Sequence, residues 1–170
     1  MRAWNARTGR DDGTLAAALA SAPDAGDRLS RLAEQGAEEF SGEYLGPRFA
    51  QFREEIEVIV PGVGDAMRDG ELTALGALVD RSMAMAEYAL RNQVPETSFL
   101  ARAARERGAV AASAFGAGFG GAVWAMVRTA DADAFVEAWR AEYLASFPHR
   151  TEHALWLVTR PGGPAREETN

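Results

Sequence analysis

Residues 113–127 read SAFGAGFGGAVWAMV, and this stretch decides the fold. Four glycines fall within residues 116–121, where the lack of a Cβ permits positive φ angles and lets backbone N–H groups approach a ligand closely. The flanking segments, residues 109–115 and 122–127, are short and almost fully apolar, which is typical of buried strands. The pattern therefore predicts a β-hairpin whose two strands are joined by a glycine-rich loop.

This loop is also the candidate functional site. Such a loop can direct several backbone N–H groups at one anion, for example a phosphate. A dinucleotide-binding loop would open a helix, and a Walker loop would end in lysine, which the chain lacks altogether. Four glycines exceed the one or two that a two-residue hairpin needs, which favours a ligand-facing loop over a turn placed only for packing. The candidate residues are Gly116, Ala117, Gly118, Phe119, Gly120 and Gly121.

The composition narrows the class of protein. The 170 residues are 47% hydrophobic, which is enough to bury a core in one domain. A net charge of −7 argues against a nucleic-acid partner, and no apolar run reaches the length of a membrane span. All 18 basic residues are arginine and there is no cysteine. Schiff-base lysines, disulfides and thiolate metal sites are therefore excluded, and the composition fits a cytoplasmic protein.

Helical periodicity dominates the rest of the chain, and residues 42–47 are expected to be a break. The expected helices cover residues 14–22, 25–40, 48 up to Gly70, 71–91, 95–107, and a stretch from Asp131 or Asp133 past Tyr143. Residues 154–159 are expected to form a last strand. This order predicts an α+β fold with helices packed on one face of a small antiparallel sheet.

The helix that begins at residue 48 leaves one point open. Its apolar residues recur at helical spacing, and the acidic residues between them are expected to point to solvent. Those acidic residues are Glu54, Glu55 and Glu57. Pro61 either bends this helix or breaks it, and the sequence alone favours neither outcome.

Two pairs of side chains could be taken for metal ligands but have simpler explanations. His149 and His153 are four residues apart, yet Pro148 precedes them and a strand is expected to follow, so both are assigned to the surface. Asp131 and Asp133 are assigned to helix capping. No nucleophile motif occurs, and we assign no catalytic residue and no metal ligand within the chain.

Several motifs in consistent order give the chain a family resemblance. Residues 116–121 match all six loop positions of the motif T-G-A-G-F-G-G, and Pro95-Glu96 and Gly108-Ala109 match the two ends of the helix before it. Residues 70–82 resemble an earlier helix of the same family. Over residues 48–148 the chain thus resembles the C-terminal part of galactokinase-like members of the GHMP sugar kinases. It departs from them where a hydroxyl residue, an arginine, a cysteine and a histidine are replaced by Phe115, Ser113, Ala122 and Met83.

The resemblance implies a ferredoxin-like α+β domain and a sugar kinase that uses ATP and Mg²⁺. It divides the chain into a helical extension of the preceding kinase region (1–42), a GHMP kinase C-terminal domain (43–160) and a disordered tail (161–170). The family's two N-terminal motifs have no counterpart in the 170 residues, and its catalytic aspartate belongs with them. The chain is therefore expected to act on a monosaccharide hydroxyl only with an N-terminal kinase half, in cis or as a separate chain. ATP and Mg²⁺ would be bound mainly by residues of that N-terminal half. This chain alone would therefore be inactive.

Two other functions stay open at this point. The chain could be a stand-alone module that binds a sugar or a nucleotide without catalysis, or a small α+β protein whose glycine loop only packs. The kinase hypothesis makes a distinct prediction, because an absent partner leaves apolar surface exposed on the loop side of the sheet.

Overall fold

The computed structural model describes residues 1–37 and 39–163. The described residues form eight α-helices: α1 (Arg2–Thr8), α2 (Leu15–Leu19), α3 (Ala25–Gln35), α4 (Gly42–Glu54), α5 (Val60–Asp69), α6 (Leu72–Met85), α7 (Pro95–Glu106) and α8 (Ala132–Ser146). They also form two strands, β1 (Ala111–Phe115) and β2 (Ala122–Met126). The π-helical turns Glu55–Ile59 and Ala86–Leu90 extend α4 and α6, and the 3₁₀ turns Thr129–Asp131 and Pro148–Arg150 flank α8.

The hairpin predicted from the glycine-rich stretch is confirmed. β1 and β2 pair antiparallel, from Ala111 opposite Met126 to Phe115 opposite Ala122. One face of the hairpin packs against α7 and α8, and the buried Trp139 lies in the centre of this cluster. The residues that the strands contribute to it are Ala112, Val123 and Ala125. Their alternation with the outward residues is the two-residue period of a half-buried sheet.

The other face of the hairpin is only half covered. β1 lies under α6, where Ala111 packs with Leu75 and Val79. On the β2 side, no helix of the described residues takes the place of α6. The apolar side chains left exposed on this face are Trp124 (39% exposed) and Met126 (38%) of β2 and Phe115 (70%) at the end of β1. The α+β class is thus confirmed, with α6 adding a partial cover on the second face.

The strand predicted over residues 154–159 is wrong, since this segment is neither helical nor paired with the hairpin. Trp156 packs edge-on against Trp139, with ring centroids 5.1 Å apart, and against Tyr143 at 5.8 Å. These contacts seat the segment on α8 rather than in the sheet. Edge-to-face aromatic pairs are favourable beyond the area they bury, so packing here prevails over the strand propensity of the sequence.

The break predicted over residues 42–47 is also wrong, because α4 begins there. Ser41 caps the helix: its Oγ accepts a hydrogen bond at 3.3 Å from the N–H three residues further on. Gly42 does not form a turn but lets the start of α4 lie close to α3, since a Cβ on it would overlap the backbone carbonyl of Glu34 in α3. Pro47 then lies inside the helix.

The N-terminal region differs from the prediction in two further ways. Helix α3 ends at Gln35 instead of residue 40, because Gly36 takes a φ of +78°. Helix α1 had no predicted counterpart, although its Trp4 is only 2% exposed. The buried residues that pack with Trp4 are Ala18, Ala25, Leu29 and Phe49. Together they form a separate cluster of the core.

Pro61 does not break the long helix in which it lies. Residues 42–69 are helical without interruption, and Pro61 is the second residue of α5. The residue four positions earlier, Glu57, lies in the π-helical turn, where backbone bonding already departs from the i→i−4 pattern. The proline therefore removes an N–H at a point where the α-helical ladder is interrupted anyway.

The acidic residues of this helix are not all directed to solvent as predicted. The carboxylate of Glu54 lies 2.7 Å from Nη2 of Arg81, and Glu55 accepts a hydrogen bond from Oγ of Ser82 at 2.6 Å. Both partners are on α6, and they offset the cost of partly burying the two carboxylates. Glu57 stays at the surface.

The described part of the chain contains no helix that is long and apolar enough to cross a membrane. Residues 161–163 of the predicted tail have no helix or strand. The rest of that tail, residues 164–170, lies outside the described residues.

Candidate functional site

The backbone of the glycine-rich loop explains its composition. Positive φ angles occur at five of the six positions of residues 116–121, from +62° at Phe119 to +114° at Gly120. Residues with a Cβ seldom adopt this region, so the conformation itself demands glycine at most of these positions. The loop is therefore not a two-residue hairpin turn with glycines added for packing.

Most amide N–H groups of the loop are free. In the described part of the chain, no acceptor is present for the N–H groups of Gly116, Ala117, Gly118, Gly120 and Gly121. Three of these positions face open space, since a Cβ built on Gly116, Gly120 or Gly121 would meet nothing within 4 Å. Free main-chain donors beside open space are the elements of an anion-binding concavity.

One side of the loop rests on Asn92. The side-chain Nδ2 of Asn92 donates to the carbonyl oxygen of Ala117 at 3.0 Å, and its backbone oxygen accepts from the N–H of Phe119. A Cβ on Gly118 would overlap that backbone oxygen and come within 2.7 Å of the Asn92 side chain. The sequence alone does not identify Asn92 as part of the site. The available signal was weak: two amide side chains, Asn92 and Gln93, between an apolar helix and a proline.

A groove of about 750 Å³ opens beside the loop. It lies between α7, α8, residues 153–157 and the second half of the loop, from Phe119 onward. Its aromatic lining is Trp139, Tyr143 and Trp156. Mostly apolar walls with a few polar groups are typical of small-molecule sites, so the groove is the second element of the candidate site.

An ion pair closes one end of this groove. Both Nε and Nη2 of Arg150 donate to Oε1 of Glu96, at 2.9 and 2.7 Å, and Nε2 of His149 lies 3.9 Å from the same oxygen. The hydrogen bond from Arg150 holds the pKa of Glu96 below its ordinary value, with smaller contributions from its own backbone N–H and from charge attraction. Burial raises the pKa of the neighbouring Tyr143 phenol. This end of the groove therefore carries a carboxylate and a guanidinium that are paired with each other.

Replacing Glu96 with glutamine is expected to lower the free energy of unfolding by about 0.5–1 kcal/mol at pH 7, the range of a partly exposed pair. Since the pKa of Glu96 is lowered in the fold, its contribution is fully present above the ordinary value of 4.5 and is lost as pH falls through the lowered pKa. Urea unfolding at pH 7 and pH 3 measures this. A difference between Glu96→Gln and the parent that is equal at both pH values would contradict the assignment.

The side chains that could be taken for metal ligands do not assemble into a site. His149 and His153 are both exposed, as predicted. Asp131 stands at the N-terminus of α8 but makes no side-chain capping hydrogen bond. Across residues 1–37 and 39–163, no three His, Asp or Glu side chains are grouped so that they could hold a metal ion. These residues therefore do not fit a Mg²⁺ site.

The region that contains the glycine-rich loop is similar to a known protein family. The family described as GHMP kinases C terminal matches residues 65–145, which run from α5 through the hairpin to α8. The glycine-rich loop lies inside this matched region, which covers just under half of the chain. No curated protein matches the chain.

The resemblance to the C-terminal part of a galactokinase-like GHMP kinase is confirmed. A crystal structure of Lactococcus lactis galactokinase, complexed with galactose, matches 85% of this chain with a TM-score of 0.61 and 23% identity. At this identity the likeness establishes the fold. The match covers 34% of the galactokinase, so this chain spans about a third of the length of that protein.

Proposed function

We propose that this chain is the C-terminal half of an ATP-dependent, galactokinase-like sugar kinase and contributes residues 116–121 to its phosphate site. The observation that carries the proposal is the set of five free N–H groups on this loop, inside the region that matches the GHMP family. Main-chain donors fit phosphate oxygens because they concentrate partial positive charge without adding a side chain. The substrate class is a monosaccharide with a free hydroxyl, and galactose is the first to test.

The loop would act by positioning and electrostatics. Phosphoryl transfer needs little covalent chemistry from the protein, but the negative charge spread over the transferred group must be stabilised. N–H groups already held in place supply that stabilisation without reorganising during the reaction. The described residues offer no carboxylate cluster for Mg²⁺, so the metal and the base that accepts the hydroxyl proton are assigned to the other half.

A partner half is supported by the uncovered side of the hairpin. Phe115 precedes the loop and Phe119 lies within it, with 70% and 75% of their surfaces exposed, and Trp124 and Met126 continue the apolar face along β2. Exposed apolar side chains grouped in this way mark an interaction surface. The partner would cover this face and bring its own phosphate loop toward residues 116–121. Because the proposed reaction consumes ATP, we propose the cytoplasm as its location.

An assay of ATP-dependent phosphorylation over a panel of monosaccharides tests the proposal. The chain should be measured alone and joined to the protein segment encoded immediately upstream of its first codon. We expect no turnover for the chain alone and sugar-dependent ATP consumption for the joined protein. Turnover by the chain alone would contradict its dependence on a partner half, and a joined protein that phosphorylates no sugar would contradict the kinase.

The groove favours a second candidate function, a stand-alone module that binds a sugar or a nucleotide. Its volume of about 750 Å³ and its aromatic lining are formed by this chain alone. The two candidates differ in solution behaviour. A partnerless kinase half should self-associate through its exposed apolar face, whereas a stand-alone module should be monodisperse and bind its ligand unaided. Analytical ultracentrifugation of the purified chain distinguishes them.

A further inference from the structure

We infer that Asn92 is a positioning residue for the glycine-rich loop, oriented in turn by Gln93 and the buried Thr97. The positioning role is inferred from the loop geometry and does not depend on any activity. The expected effect of Asn92 on phosphate binding rests on the proposed function above. Asn92 contacts the loop and no substrate, so its role is to fix the direction in which the free N–H groups point.

Asn92 holds the loop at two points. Its Nδ2 donates to the carbonyl oxygen of Ala117 at 3.0 Å, and its backbone oxygen accepts from the N–H of Phe119. These two contacts lie on either side of Gly118, where a Cβ would overlap the Asn92 backbone. The loop is therefore fixed at its middle, and the glycines on both sides are left open.

A relay of hydrogen bonds fixes the orientation of the Asn92 amide. Gln93 donates from Nε2 to Oδ1 of Asn92 at 2.9 Å, which leaves the Nδ2 donor facing the loop. Thr97 in turn donates from Oγ1 to Oε1 of Gln93 at 2.9 Å. The Thr97 side chain is 2% exposed and is the one buried polar residue of the described chain. The same hydroxyl accepts the N–H of Val94 at 3.2 Å and lies 3.0 Å from the Val94 carbonyl oxygen, an alternative acceptor for its single proton. These contacts at the start of α7 hold the hydroxyl in place, so it anchors the relay.

The backbone around the contact is itself unusual. The π-helical turn Ala86–Leu90 ends α6, and Arg91 follows with a φ of +54°. Among the described residues, Arg91 and Phe119 are the only non-glycine positions with positive φ, and they lie on the two sides of the Asn92 contact. Strained backbone of this kind persists where surrounding contacts over-determine it, and it clusters at functional sites. π-helical turns show the same preference.

Two readouts on the full 170-residue chain test the inference. The first is the rate of amide hydrogen exchange at Phe119, measured by NMR, which depends on the hydrogen bond from its N–H to Asn92. The second is the affinity for inorganic phosphate, measured from the shifts of the loop glycine amides during a titration. Asn92→Ala removes the Nδ2 donor, Thr97→Val removes the relay hydroxyl, and Thr97→Ser retains it. Asn5→Ala is the matched control, because Asn5 also makes two hydrogen bonds, both to Asp12, in the N-terminal region.

We expect Asn92→Ala to speed exchange at Phe119 and to weaken phosphate binding, each by about fivefold, the effect of one net hydrogen bond. Thr97→Val should act in the same direction and Thr97→Ser should restore the parent values. Asn5→Ala should change neither readout. Parent-like exchange at Phe119 in Asn92→Ala would overturn the inference, and equal effects of the two Thr97 variants would overturn the relay.

The two proposals fail separately. If the parent chain shows no phosphate-induced shift at the loop glycines, the phosphate role of the loop is contradicted. The exchange rate at Phe119 still decides whether Asn92 holds the loop.

Discussion

Replacing Trp139 with alanine is expected to lower the free energy of unfolding by about 3–5 kcal/mol, the cost of removing a large buried ring. Trp139 is 7% exposed and lies between the hairpin, α7 and the C-terminal segment. Its Nε1 donates to the carbonyl oxygen of Leu100 at 3.0 Å, and its ring packs on Phe135 at 5.6 Å and Trp156 at 5.1 Å. The substitution would therefore remove packing from both the core and the groove. Urea denaturation followed by circular dichroism measures the loss.

Trp124→Ala is the matched control for this experiment, because it removes the same side chain from a position that is 39% exposed. We expect a loss of about 1 kcal/mol there, near the range of surface substitutions. Equal losses at the two positions would mean that the apolar face of β2 is as well packed as the core. That outcome would contradict both the assigned core and the exposed interaction surface.

Gly118→Ala is expected to lower the free energy of unfolding by about 2–4 kcal/mol. Two costs combine: a residue with a Cβ must adopt a φ of +86°, and that Cβ would overlap the backbone oxygen of Asn92. The loop would then lift from Asn92, and the N–H of Phe119 would lose its acceptor. Thermal or urea unfolding measures the stability, and the amide shift of Phe119 reports the displacement.

Gly116→Ala separates the two costs. Gly116 has nearly the same φ, +91°, but a Cβ on it would meet nothing within 4 Å. We expect a loss of about 1–2 kcal/mol, the backbone contribution alone. If both alanine variants lose the same stability, the loop does not rest on Asn92 in solution.

The fold could be predicted wherever the local signals were strong. The glycine run between two apolar segments gave the hairpin, and Pro95 with Gly108 gave both ends of α7 to within two residues. The failures have a tertiary cause. Residues 154–159 have strand-forming composition, but Trp156 finds aromatic partners on α8 instead. Gly42 suggests a break in the sequence, whereas in the structure it permits α3 and α4 to approach closely.

The candidate site was predictable only in part. The loop residues could be named, because four glycines in six positions leave a visible pattern. The role of those residues in binding stays a prediction. The contact of Asn92 with the loop could not be predicted, because Asn92 is 25 residues away from Ala117 and no local sequence pattern indicates that contact. Long-range side-chain to backbone contacts depend on where a helix ends, and here a π-helical turn sets that end.

Every donor that the loop offers belongs to the main chain. A survey that shortens side chains one at a time would leave all five N–H groups in place and would not detect what they contribute to binding. Backbone amides also do not gain or lose protons in the physiological range, so the loop itself would add no pH dependence to the affinity for phosphate. Chemical synthesis with an ester in place of one peptide bond would remove a single N–H donor. The contribution of that donor to phosphate affinity could then be measured.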